Sequence, residues 1–158
     1  MADLIPLRPA GFDPGLSFRL TRRVPLHYSD GADEAVDRPR HVRAGSSLAW
    51  VGGRLALIQD DANFLALVDP VTAAVGSITL PAGKGGVRQF DDLRGNKKQK
   101  LDLEACVTVE GGATFLAFGS GSTERREKIL VVRGIGAPAP DVRLVELSTL
   151  YRLLRGTP

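Results

Sequence analysis

Cysteine is almost missing from this chain: among 158 residues Cys106 is the one thiol. A single cysteine excludes an internal disulfide framework and any zinc site built on thiolates. Cys106 lies between Ala105 and Val107 in an apolar run, where it reads as a small core residue. Histidine is nearly as scarce. His27 and His41 are the whole supply and show no ligand spacing, so a histidine metal site or a Ser–His–Asp triad has no support. No run reaches the roughly 18 apolar residues that a membrane-spanning helix needs. The N-terminal stretch of residues 1–12 carries no basic region followed by a long apolar one. It therefore does not read as a signal peptide, and a cytoplasmic location is expected. Charge of one sign is also wanting. The net charge is +3, with basic and acidic residues interspersed, which is too mild a balance to imply nucleic acid. The hydrophobic fraction of 43% and charged fraction of 25% fit one soluble globular domain with a real core.

What the chain does have is an internal repeat. Residues 47–69 and 104–133 each offer an apolar run, a Gly-Gly pair, a second apolar run, a small-polar turn and a third apolar run. The pairs Gly52-Gly53 and Gly111-Gly112 stand 59 residues apart. Repeats of this kind mark arrays whose single units cannot bury their own apolar faces. Strands are expected at 47–52, 54–59, 63–69 and 73–80, then at 104–109, 113–118, 127–133 and 141–147. Four antiparallel strands from one contiguous segment match a propeller blade. The fold class expected is therefore all-β: four-stranded antiparallel blades of a partial β-propeller, with a short C-terminal helix.

The expected organisation is one domain over 1–158. Residues 16–46 form a lead-in strand and loop, 47–81 a first blade, 82–101 a charged loop, 102–147 a second blade and 148–156 a helix. Residues 1–15 read as an extended lead-in and 16–28 as a half-buried strand bent at Pro25. Ser148 as N-cap, with Leu150, Leu153 and Leu154 on one face, supports the helix. Propellers need about four to eight blades, so two blades predict either a truncated chain or completion by a partner subunit. A small β-sandwich is the rival architecture.

Three polar groups fall at strand ends: Gln59 to Asn63, Asp102 to Glu104, and Gly119 to Arg126. Asp60-Asp61 and Gly119-Ser120 occupy similar places in the two repeats, after the second strand. Turn chemistry explains such residues by itself. Gathered at one end of an array, however, carboxylates make an oxygen-rich site suited to Ca²⁺ or Mg²⁺. Asp102 and Glu104 would share one face of a strand at period 2, and acids entering an apolar strand need a cation or hydrogen bonds. The expected metal ligands are Asp60, Asp61, Asp102 and Glu104. Lys97, Lys98 and Lys100, with Arg88 and Arg94, are candidate phosphate receivers, and RNA is the least expected use of that run because no aromatics interleave it. Gly119-Ser120-Gly121-Ser122-Thr123 is not a Gly-x-Ser-x-Gly elbow. Gly83-Lys84-Gly85-Gly86 is not a phosphate-binding P-loop.

The segment from Lys100 to Arg133, with Asp102, Glu104, Gly119, Ser120 and Arg126 in order, resembles the signature of bacterial esterase-like phytase propellers and related uncharacterised propeller proteins. In that pattern an Asp-x-Glu-Gly step precedes a strand and a Gly-Ser or Ser-His step follows the next. Here Ala105 stands in place of the glycine, and no histidine follows Ser120. The resemblance covers about 35 residues well and the first repeat loosely. It implies a propeller of about six blades when complete. It also implies a metal-assisted phosphoester hydrolase, with Asp102 and Glu104 catalytic and Lys97, Lys98, Ser120 and Arg126 binding a phosphorylated small molecule. The alternative is a non-catalytic propeller scaffold that binds a ligand or protein partner. No membrane partner is expected.

Overall fold

The structure is a computed structural model that describes residue 11 and residues 13–156. The lead-in expected over residues 1–15 falls mostly outside them. Two four-stranded antiparallel meanders carry the fold. The first comprises β1 (Gly45–Val51), β2 (Arg54–Gln59), β3 (Phe64–Val68) and β4 (Val75–Thr79). The second comprises β5 (Leu103–Val109), β6 (Thr114–Gly119), β7 (Lys128–Arg133) and β8 (Asp141–Glu146). A short helix, α1 (Ser148–Arg155), follows. All eight strands stand within two residues of their expected ends. The reason is local: most are apolar runs closed by Gly, Asp-Pro or Pro, and Gly52-Gly53 supplies the two positive φ angles of a tight hairpin.

The strand expected over residues 16–28 does not form. Among the described residues this stretch joins no sheet beyond a single bridge between His27 and His41. Leu16, Phe18 and Leu20 are exposed, Phe18 to 95%. The alternation is right for a strand, but among the described residues it forms no ladder with either edge of the first sheet. Residues 82–101 form no strand, yet they bury Phe90 completely and tie Gln89 to Ala62 by a bridge.

The repeat is visible in the ladders. In both sheets the first strand carries a bulge near its start, between Gly45 and Ser47 and between Leu103 and Ala105. Gly45 faces Gln59 as Leu103 faces Gly119. Ala44 and Asp102, just ahead of the two bulges, both take left-handed backbone. Each accepts a matching amide bond from beyond the second strand, from Asp60 and from Ser120, at 2.8 Å in both cases.

This equivalence defines the packing. The row Ala49–Ala56–Leu67–Gly76 of the first sheet corresponds to Val107–Leu116–Val131–Arg143 of the second. The first row faces the other sheet, where Ala56, Ile58, Leu65 and Leu67 meet Phe115, Ala117, Leu130 and Val132 in one shared core. Those latter residues lie on the opposite face of their own sheet from the row Val107–Leu116–Val131. The two sheets therefore stack front to back. The back of the first sheet is covered by residues 26–42, whose Leu26, Tyr28, Val36 and Val42 pack on Leu55, Leu57, Phe64, Ala66 and Val68. The sheets are not closed into a ring.

Candidate functional site

The bulges position the chemistry. Asp102 sits just before β5 with φ of 56°. Glu104 is the extra residue of the β5 bulge, skipped by the ladder between Leu103 and Ala105. Regular alternation does not bring the two acids to one side, as the period-2 reading supposed. A left-handed residue followed by a bulge turns them there. Asp60, one step past β2 in the other repeat, completes the group. One carboxylate oxygen from each of Asp60, Asp102 and Glu104 lies within 4.8 Å of the others.

The centre of that group holds a lysine. The Lys100 ammonium donates to both Asp60 oxygens at 2.7 and 2.6 Å. It also lies 2.8 Å from Asp102 Oδ1 and 3.9 Å from Asp61 Oδ1. Asp102 Oδ2 takes the Arg126 guanidinium at 2.9 Å and the Ser120 hydroxyl at 2.5 Å. Ser122 links Ser120 to Arg126. The result is an alternating chain of charges, Asp60–Lys100–Asp102–Arg126, at the seam between the sheets.

Electrostatics follow from this order. Burial raises the Asp102 carboxyl, but the hydrogen bonds from Lys100 and Ser120 outweigh it and leave the group below its usual value. Burial lowers the Lys100 ammonium, and the bonds to Asp102 and Asp60 more than reverse that, so it stands above its usual value. Glu104 goes the other way. Lost hydration raises its carboxyl first, and the charges of Asp60 and Asp102 add to the rise. Glu104 is the one acid of the three without a hydrogen-bond or ion-pair partner among the described residues.

The expected site residues divide accordingly. Asp60, Asp102, Glu104, Ser120 and Arg126 come together. Asp61 stands at the margin, its Oδ1 buried without a hydrogen bond. Gln59 and Asn63, its neighbours, are buried for structural work: Gln59 joins Tyr28, Phe64 and the Arg43 amide, and Asn63 caps Pro81. Lys97 leaves the site and pairs with exposed Asp92 at 2.9 Å. Arg88 and Arg94 bind Leu80 and Asp37 respectively. Lys100 is corrected in role, from phosphate receiver to counter-ion of the acids. Its position two residues before Asp102 and four before Glu104 was the available signal. Arg125 was not singled out, yet it lines one open groove of about 540 Å³ with Lys98, Thr123 and Arg126. Lys98 and Arg125 have no ion-pair or hydrogen-bond partner among the described residues.

The donor set does not suit a divalent cation as arranged. Calcium takes about six to eight oxygens, whereas Lys100 and Arg126 already occupy those of Asp60 and Asp102. The carboxylates fit a metal ion only with Lys100 withdrawn. His27 and His41 contribute nothing here, and Cys106 is half-buried against the shared core as expected. No helix among the described residues is long and apolar enough to cross a membrane.

The model of a family of unknown function, DUF6929, matches residues 41–158. No curated protein and no solved structure matches the chain.

Proposed function

We propose that this chain, which belongs to the DUF6929 family of unknown function, is a binding scaffold for a phosphate-bearing ligand and not a catalyst. The observation that carries the reading is the division of charge. Every acid at the seam that could hold a catalytic metal, save Glu104, is matched by Lys100 or Arg126. The cations left over, Lys98 and Arg125, line a groove with Arg126 and Thr123. Free ammonium and guanidinium groups suit a phosphoryl group's oxygens. The front-to-back stacking of equivalent sheets supports reading the array as two successive blades of a propeller, a fold that serves many ligands.

Calorimetric titration with inorganic tripolyphosphate tests the proposal. Binding that weakens on the order of tenfold in Lys98→Ala and again in Arg125→Ala, about 1.4 kcal/mol each, is the expected result. Titration without heat, or affinity untouched by both substitutions, would sink it.

Unpaired Glu104 favours a second reading, the metal-assisted phosphoester hydrolase implied by the phytase resemblance. Ca²⁺ or Mg²⁺ would then have to displace Lys100 from Asp60 and Asp102. Cation-dependent phosphate release that disappears in Glu104→Gln is the outcome that would put this reading ahead of the scaffold.

A further inference from the structure

The two sheets end on unlike strands. β8 reads Asp-Val-Arg-Leu-Val-Glu, with Arg143 held to Asp141 and Glu146 to Lys128. Charges along an edge strand discourage pairing with other chains. β4, at the edge of the first sheet, reads Val-Gly-Ser-Ile-Thr. It carries no charge, no proline and no bulge in its ladder to β3.

The backbone of that edge is open beyond its first residue. The Asp69 amide donates to the Ala74 carbonyl and the Leu80 amide to that of Asn63, so even-numbered residues here turn their N–H and C=O groups towards β3. Odd-numbered residues turn theirs outward. Val75 is taken by Ser29, whose amide donates to its carbonyl and whose hydroxyl accepts from its amide. Ser77 and Thr79 follow in the same orientation, and their backbone groups have no outward partner among the described residues. Arg38 takes the Ser77 hydroxyl and leaves its backbone free. Such a row of donors and acceptors is a template for one more strand.

Gly76 is an independent sign. Its φ is not positive, its ladder is regular, and a Cβ on it would meet nothing within 4 Å. Neither backbone nor internal packing asks for glycine there, although glycine weakens a strand interior. The remaining use of a strand glycine is close approach by another backbone or a ligand. Gly76 lines an open groove of about 490 Å³ with Ser77, Ile78, Thr79, Val142 and the loop of Pro138 and Pro140. Arg54 is the one charged side chain in that lining, and it makes no contact ion pair among the described residues.

We propose that the β4 edge binds an extended peptide segment of another protein as an added strand. The segment's backbone exchanges bonds with Ser77 and Thr79, an apolar side chain lies over Gly76, and a carboxylate reaches Arg54. Backbone pairing supplies affinity, and the groove supplies selectivity. The proposal does not depend on what the groove at Lys98 binds.

Selection of randomised peptides displayed on phage, with the full chain as bait, supplies the probes. Recovered peptides are expected to alternate apolar or β-branched residues and to include an Asp or Glu. Titrated into the isotope-labelled chain, they should shift the amide signals of Ser77 and Thr79. Gly76→Val, which grows into the groove, should weaken binding about tenfold or more while the melting temperature holds or rises. Thr79→Pro removes one outward N–H, a change that edge strands tolerate, and should weaken the same peptides. Should Gly76→Val melt lower, Thr79→Pro and the amide shifts decide. No recovered peptide, shifts confined to other residues, or affinity indifferent to both substitutions overturns the proposal. So does a dimer of the chain alone that Thr79→Pro separates, because the occupant is then a second copy.

Discussion

Lys100 is the residue on which the seam depends. Its ammonium is mostly withdrawn from water and touches acids from both repeats. Removing one partner of such a pair leaves the other charges uncompensated, which is costlier than the pair is favourable. Lys100→Ala should lower stability by about 2–3 kcal/mol, less than the full cost for wholly buried ions. It should also create a thermal stabilisation by Ca²⁺ that the wild type does not show, because a ligand of the folded state alone raises apparent stability. Melting curves of both proteins with and without Ca²⁺ check this; equal responses would mean Lys100 does not hold the place of a cation. Acid stability is a second test. Asp102 is held below its ordinary value, so its contribution is complete above the unfolded value near 4 and fades as pH falls through the native one. Asp102→Asn should therefore cost stability at neutral pH and flatten the decline below about pH 4. Glu104 has the opposite sign: its carboxyl is raised, so its ionised form opposes folding at neutral pH. Glu104→Gln should raise the melting temperature slightly at pH 7, with the gain vanishing once both states protonate.

At the scale of elements, glycines fasten the helix to the second sheet. Tyr151 of α1 donates its hydroxyl to the Gly119 carbonyl at 2.5 Å, and its ring lies over Gly121. A Cβ on Gly121 would meet that ring at 2.4 Å, at a residue whose φ is +65°. Arg155 adds a bond to buried Glu127 at 2.6 Å. Gly121→Ala should displace Tyr151 and cost about 1–3 kcal/mol, the usual range for a forced fit. Tyr151→Phe, which deletes only the hydroxyl, should cost about 1 kcal/mol. Denaturant melts rank the two; a larger loss in Tyr151→Phe would place the helix's anchorage in the hydroxyl and not the ring.

At the scale of the molecule, the two sheets share one core, and the first sheet packs residues 26–42 on its other face as a second. Phe115 is fully buried beside Ala56, Ile58 and Leu67 of the other sheet. Phe115→Ala should cost about 3–5 kcal/mol and destabilise both sheets together. Trp50 reports the first sheet by fluorescence, and far-ultraviolet dichroism reports all eight strands. Coincident transitions by the two probes are expected in wild type and variant alike. Separate transitions would show that the meanders fold as independent units.

Much of this was legible in the residues. Strand positions, hairpins and the repeat follow from apolar runs punctuated by glycine and proline, because those signals act over a few neighbouring residues. The rise of Asp60, Asp102, Glu104, Ser120 and Arg126 as candidates also came from local pattern, through their recurrence at equivalent strand ends. Other features depended on residues far apart in sequence. Lys100 and Lys97 look alike in a basic run, yet one pairs with Asp60 and the other with Asp92, since only packing of the two repeats decides which acid comes within reach. Residues 16–24 alternate like a strand and form no ladder with either edge of the first sheet. Leu116 and Ala117 are both apolar, and the stacking of sheets alone determines that Ala117 is buried while Leu116 lies on the open face. The sequence thus settled the elements and their order through short-range backbone preference and hydrophobic period. Tertiary structure decided which charges neutralise each other and which apolar face is left bare, because both depend on how two folded sheets meet.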